Sequence, residues 1–380
     1  GFVETSGKRY LDVAGIHVDA SSATGAAGTW LLDPADVSIV HGDNAAPIDM
    51  NTPPSPFFPV GDTTTASITD GTINAALGTD VLISTASSGT GNGDIFFDGL
   101  SNGALAIRLG DSGTARTLTL RADRNIVFDG NTVFESSGPT LPNAFYVELH
   151  AGQTNSSGKL ITNVGGAVTL TGSSGGSVDL IVADGRTWDN GGVLTLDGLS
   201  TLRLPDQSGY ATFNNLQGGS FYVNSQAPWS ILSDSSVQGG VVNNAGTVYV
   251  AGQSSGTGTS WEARYSNLVG GTLNIASGHS LSMQNADLLA GTIDFATGGS
   301  LVLSEAHGGS RSFQGTTFTG SGLLTLSGGA PATFTNTIGS SGTLTVNSGA
   351  SAVALGTGFT TASLCLSGGT VSGSGDQPAR

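Results

Sequence analysis

Between Gly219 and Val346 the chain restarts the same kind of short strand on a glycine, over and over. This recurrence limits the fold more than any other feature. Gly219–Ser220–Phe221, Gly240–Val241, Gly271–Thr272–Leu273, Gly291–Thr292–Ile293, Gly322–Leu323–Leu324 and Gly342–Thr343–Leu344 follow one another at roughly 20 or 30 residues, inside the window of solenoid repeats. Two copies align closely: GGTLNIASGHSLSM from Gly270 to Met283, and AGTIDFATGGSLVL from Ala290 to Leu303. Like strands at equal spacing stack in register, each beside its counterpart one coil away at about 4.8 Å. Their apolar residues then line up inside. The period therefore predicts an all-β parallel β-helix with coils of about 20 to 30 residues, the longer ones carrying an extra-helical loop. About fourteen coils would make a rod on the order of 65 Å long. A β-sandwich or a pair of barrels also contains many short strands and is the competing architecture.

The first half carries the same texture less regularly. Tyr10–Val13, Ile16–Val18, Trp30–Leu32 and Val37–Val40 read as half-buried strands punctuated by Gly, Ser and Asp-Pro. From Asp80 they recur: Val81–Ser84, Asp94–Phe97, Leu105–Leu109, Thr117–Leu120, Asn125–Phe128, Phe145–Leu149, Val168–Thr171, Val178–Val182, Val193–Leu196 and Thr201–Leu204. In Leu118–Thr119–Leu120 and Leu194–Thr195–Leu196 the alternation sends leucines inward and threonines outward. Residues 41–66 break the pattern. His41 to Asp62 holds five of the twelve prolines, Pro47, Pro53, Pro54, Pro56 and Pro59, and proline cannot donate to a sheet ladder. This stretch is expected to leave the body as an excursion loop, between a start of the β-helix in 1–40 and a repeat region in 67–380. Ser67 to Gly78 is the one helix candidate: Thr69 or Ser67 as cap, Ile73 and Leu77 on one face, and Gly78 in the left-handed position after the last turn.

The polar residues are chiefly Ser, Thr, Asn and Gly, with 60 glycines and only 11% charged residues. Such side chains stack one above another without repulsion. Regular apolar strands argue against a disordered chain, and there is no G-X-Y period. A net charge of −16 disfavours nucleic acid and anionic lipid as partners, because both need clustered Lys and Arg. The single cysteine, Cys365, permits no internal disulfide and reads as an inert strand thiol. No segment approaches the length of a membrane span.

The first residues also carry a resemblance. GFVETSG (Gly1–Gly7), LDVAGIHVDAS (Leu11–Ser21) and GTWLLDPADVSIV (Gly28–Val40) are similar to the signature of the filamentous-haemagglutinin family, the large exoproteins and high-molecular-weight adhesins of bacterial two-partner secretion. Thr64 to Thr85 and Arg116 to Gly130 resemble the section that follows in the family. After about Gly172 the likeness is one of repeat style. The resemblance implies a right-handed helix, as does the crossover rule for parallel strands. It also implies a secreted or surface-exposed chain, here a fragment lacking the upstream secretion domain. That domain's partner is an outer-membrane transporter, and crossing would occur unfolded, with folding outside the cell.

Catalytic patterns are sparse. G-x-S-x-G occurs at Gly172–Gly176 and Gly252–Gly256, but neither lies between a buried strand and a helix as a nucleophile elbow does. The histidines, His17, His41, His150, His279 and His307, show no metal-ligand spacing and read as surface or ladder residues. Gly89–Asp94 faintly resembles a calcium repeat but reads better as an Asn-Gly turn entering the Ile95 strand. Neither metal nor cofactor is expected. Asn155–Ser157 is a glycosylation sequon. Parallel β-helices host polysaccharide lyases and glycosidases, which need converging carboxylates. Asp179, Asp184, Arg186 and Asp189 around Trp188 are the local candidates, with Trp188 a stacking platform for sugar or, alternatively, the filler of a coil corner. Exposed Phe57 and Phe58 offer a contact patch or pin the loop to the body.

The expectation is thus the rod section of a bacterial adhesin, non-catalytic, meeting a host-cell surface glycan or protein receptor, with Phe57, Phe58 and Trp188 as binding candidates. Its rivals are a carbohydrate-active β-helix enzyme and the stalk of a contact-dependent toxin.

Overall fold

The computed structural model describes residues 1–6, 16, 18, 20, 28–43, 65–85, 91–100, 103–110, 113–138, 143–154, 157–173, 175–205, 209–233, 239–252, 258–304, 310–327, 331–337, 344–348, 352–355, 363–366 and 370–373. The chain divides into two compact units, Gly1–Arg203 and Leu204–Arg380. Each is a stack of parallel coils, and the fold is the parallel β-helix that the repeat predicts.

In the first unit a full coil has three strands. Asn143–His150, Leu160–Thr162 and Ala167–Gly172 make one coil, and Gly176–Val182, Thr187–Asn190 and Val193–Gly198 make the next. Each strand pairs with its counterpart: Phe145 lies beside Val178, Leu160 beside Trp188, and Val168 beside Leu194. The same columns run back to Phe2–Ser6, Asp36–Val40 and Leu105–Leu109. Parallel pairing in register excludes an antiparallel sandwich. An isolated bridge between Ser173 and Gly176 is the one antiparallel pair among the described residues.

In the second unit the two aligned copies sit one coil apart. Thr272, Leu273, Asn274 and Ile275 lie beside Thr292, Ile293, Asp294 and Phe295, and Leu281 and Met283 beside Leu301 and Leu303. The register is the sequence alignment itself. Like side chains form ladders because identical alternation leaves them no other partner one coil away.

The interior is a column of apolar and aromatic side chains. Leu118, Leu120, Leu194 and Leu196 are buried and the intervening Thr119 and Thr195 half-buried, as the alternation predicts. Phe97 stacks on Phe128 with centroids 4.6 Å apart, Phe128 leans on Trp188 at 5.9 Å, and in the second unit Phe313 stacks on Phe334 at 4.2 Å.

One inward column is polar. Asn215, Asn244 and Asn267 are buried at the inner ends of successive strands. Asn215 Nδ2 donates to Asn244 Oδ1 at 2.8 Å, and Asn244 Nδ2 to Asn267 Oδ1 at 2.8 Å. Asn267 Nδ2 donates to the carbonyl of Ala290 at 2.6 Å. An amide carries both donors and acceptors, so a stack of amides satisfies itself in a dry interior.

The helix runs from Asp70 to Ala76, with Thr69 as its cap accepting from Thr72 N at 3.0 Å. Ile73 and Leu77 are buried, as their spacing predicts. It starts later than Ser67, because Thr65–Thr69 is a strand beside Asp36–Val40. Gly78 is not the left-handed stop that the sequence suggests. It lacks a positive φ, and the helix closes instead on tight bonds from Leu77 N to Asn74 O at 3.3 Å and Thr79 N to Ala76 O at 3.0 Å. The Pro-rich excursion falls almost wholly outside the described residues, as does the expected strand Tyr10–Val13.

Candidate functional site

In the first unit, strands Arg116–Arg121, Asn143–His150 and Gly176–Val182 lie side by side. Alternation turns Thr119, Glu148 and Ile181 outward in one row and Arg121 and His150 in the next. The chain then turns at Asp184, a non-glycine residue at φ 56°, which brings its carboxylate back over the row. Asp184 Oδ2 lies 2.7 Å from His150 Nδ1 and accepts from Gln153 Nε2 at 3.0 Å. His150 Nε2 points the other way, 3.6 Å from Glu148 Oε2. That is beyond hydrogen-bond reach, and Nε2 is buried without a partner. Thr119 Oγ1 donates to Glu148 Oε2 at 3.3 Å.

This cluster is the described titratable constellation least explained by packing. Burial works against a charged ring at His150, but Glu148 and Asp184 outweigh it and hold the imidazole above its ordinary pKa, with Arg121 opposing. The ring in turn holds the Glu148 carboxyl below its usual range. Burial opposes the Asp184 carboxylate, yet His150 and Gln153 bring it below its usual range too. The sequence concealed the site because its members come from three coils.

The carboxylates singled out in the sequence do not converge. Asp179 Oδ2 is bound by Arg203, Nη2 at 2.7 Å and Nε at 2.9 Å. Asp189 Oδ2 is bound by Lys159 Nζ at 2.8 Å on a different strand column, Asp184 serves His150, and Arg186 Nη2 donates to Gly152 O at 2.6 Å. Each acid has a separate basic or ring partner. Trp188 is not a sugar platform. It is wholly buried, its indole Nε1 donating to Thr162 Oγ1 at 2.9 Å, so neither ring face meets solvent. Its burial, in a strand whose other residues are Thr187, Asp189 and Asn190, fits the alternative reading of Trp188 as an interior filler.

Phe57 and Phe58 lie outside the described residues, as do His17, His307, the Ser174 and Ser254 of the two G-x-S-x-G stretches, and the start of the sequon. His41 Nδ1 meets Asp70 Oδ2 at 3.0 Å, and His279 Nδ1 meets Ser277 O at 2.9 Å. Gly93 adopts φ 78° two residues before the Ile95 strand, but residues 91–94 make no turn; Asp36 Oδ1 instead accepts from Asn92 N at 3.1 Å and Asp94 N at 2.8 Å. Among the described residues no group of three or more His, Cys, Asp or Glu side chains is placed to hold a metal ion, and no helix is long and apolar enough to cross a membrane.

The second unit exposes a different surface, which the sequence did not single out. Tyr222, Tyr249, Asn274, Asp294 and Thr319 form one outward column, and Ser220, Thr247, Thr272, Thr292 and Thr317 form the column beside it. Tyr222 and Tyr249 stack with centroids 4.9 Å apart and ring planes 5° from parallel, and Tyr249 is 40% exposed. Comparison with protein-family models, with curated proteins and with solved structures finds no match to this chain.

Proposed function

We propose that this chain is a rod section of a large secreted or surface-exposed bacterial adhesin of the two-partner type, attaching cells through its outer faces or presenting a distal domain, without catalysis of its own. The observation that carries this reading is the outward hydroxyl, amide and tyrosine columns of the second unit, held at one residue per coil. A parallel β-helix repeats its outer surface at the strand spacing, which suits many weak contacts along one ligand better than one deep site. The opening signature of the sequence supports the same reading and brings with it the outer-membrane transporter as partner. The receptor class that suits hydroxyl, amide and stacked tyrosine side chains is a glycan or a polar protein surface on the host cell.

The test is to incubate the purified chain with epithelial cells and with immobilised polysaccharides, following both bound mass and released sugar. The expected result is saturable binding without product, reduced several-fold when Tyr222 and Tyr249 are both changed to Ala. Released sugar would overturn the reading in favour of a carbohydrate-active enzyme.

A further inference from the structure

His150 is placed to hold one carboxylate at a time in its neutral state. With Asp184 ionised, the proton of a neutral imidazole sits on Nδ1, which donates across 2.7 Å to Asp184 Oδ2. The Nε2 lone pair then faces the Glu148 carboxylate at 3.6 Å, buried and without a hydrogen-bond partner. Two electron-rich groups face one another there. A second proton on Nε2 converts that repulsion into an N–H donor aimed at Glu148, so the ring holds both acids at once.

The groups involved come from three neighbouring coils. Arg121 and Thr119 lie on Arg116–Arg121, Glu148 and His150 on Asn143–His150, and Asp184 and Arg186 on the turn after Gly176–Val182, with Gln153 on the turn after His150. Arg121 opposes the extra proton and Arg186 supports the Asp184 charge, while Gln153 and Thr119 keep the two carboxylates oriented. Asp184 holds its place at a left-handed φ of 56°, a conformation that is strained for a non-glycine residue. The bond to His150 is what the turn gains in return.

We propose that His150 is a proton-operated clamp: on taking up a second proton it ties Glu148 to the Asp184 turn, so that this face of the coil stack tightens in mildly acidic surroundings. The direction of the shifts supports the same window. The imidazole is held above its ordinary pKa and both carboxylates below theirs, so the charged ring coexists with two ionised acids from near neutrality down to the acid range. The clamp stands independently of the adhesin reading.

Hydrogen exchange measured by mass spectrometry on the whole chain tests it, with rates corrected for the intrinsic pH dependence of exchange. Ala183 N, which donates to Leu149 O at 3.0 Å, and Gln153 N, which donates to Ala122 O at 3.1 Å, are the reporters. Protection in peptides covering them should rise several-fold from pH 8 to pH 5.5. His150→Gln, which keeps a donor for Asp184 but takes no proton, should abolish the rise. Equal protection at both pH values in the unaltered chain, or a rise retained in full by His150→Gln, would overturn the proposal. Should that variant not fold, Glu148→Gln leaves the imidazole in place and should shrink the rise; an undiminished rise would count equally against the clamp.

Discussion

Asn74 stands in for a strand backbone beside Arg108: its Oδ1 accepts from Arg108 N at 2.7 Å, while its Nδ2 donates to the carbonyl of Ala106 at 2.8 Å. One turn earlier Asp70 Oδ2 accepts from Ala106 N at 2.9 Å. Strand Leu105–Leu109 pairs with Ile126–Ser136, and the helix side chains supply hydrogen bonds to these backbone groups of Ala106 and Arg108. A side-chain amide has the same donor and acceptor as a peptide group, which lets a short helix seal a sheet edge.

Replacing Asn74 with Leu should therefore destabilise the first unit by about 1 kcal/mol, since two half-exposed backbone groups lose a partner that water only partly replaces. Asn74→Asp keeps the acceptor and should cost less. Urea midpoints of the two variants check the order.

Asn244 stands between Asn215 and Asn267, bonded to each at 2.8 Å. Asn244→Ala takes one hydrogen bond from each buried neighbour, while Asn215 Nδ2 keeps Thr247 O at 3.1 Å and Asn267 Oδ1 keeps Tyr265 OH at 3.2 Å; losing these buried bonds should cost about 1 to 3 kcal/mol. Asn243, which bonds Asn214 at 3.0 Å on the outward side, should cost under about 1 kcal/mol when changed to Ala, because water takes over the lost bond. Chemical denaturation of the two adjacent variants reads the contrast directly.

Trp188 packs against Phe128 with centroids 5.9 Å apart and lies wholly in the interior. Trp188→Ala should lose about 3 to 5 kcal/mol through the cavity it opens. Trp188→Phe, which refills most of that space, should fold and bind any polysaccharide ligand as the unaltered chain does. A selective loss of glycan binding by folded Trp188→Phe would restore a recognition role for this residue.

The carboxylates beside His150 contribute to the loss of stability of the first unit in acid. Glu148 and Asp184 are held below their usual pKa range in the folded chain, so the unfolded chain takes up protons first as pH falls. Their stabilisation is complete above about pH 4.3 and disappears as pH drops through the lowered folded values. With the Asp184 side chain 37% exposed, solvent screening keeps its share under about 1 kcal/mol. Asp184→Asn should melt lower than the unaltered chain at pH 6, and the gap should close toward pH 3. Thermal melts across that range provide the check.

Much of the architecture was legible in the sequence because a β-helix repeats its own pattern. The alternation in Leu118–Thr119–Leu120 says which side is buried, and the likeness of Gly270–Met283 to Ala290–Leu303 names the pairing partner one coil on. Two strands with inward asparagine, Thr187–Asn190 and Thr212–Asn215, are absent from the strands expected, since nothing in TWDN or TFNN announces a buried amide.

The sequence by itself determined the fold class and the register of its closest copies, because both depend on local alternation and on a spacing that any reader can count. Only the tertiary structure decided what the polar residues do. Stacking carries Asp184 of one coil against Glu148 and His150 of its neighbour and gives Asp179, Asp184 and Asp189 separate partners instead of a shared groove. It also seals Trp188 inside. The physical reason is that coil stacking sets each outward side chain beside residues a whole coil away, with loops of unequal length between them, so neighbours in space are not neighbours in sequence.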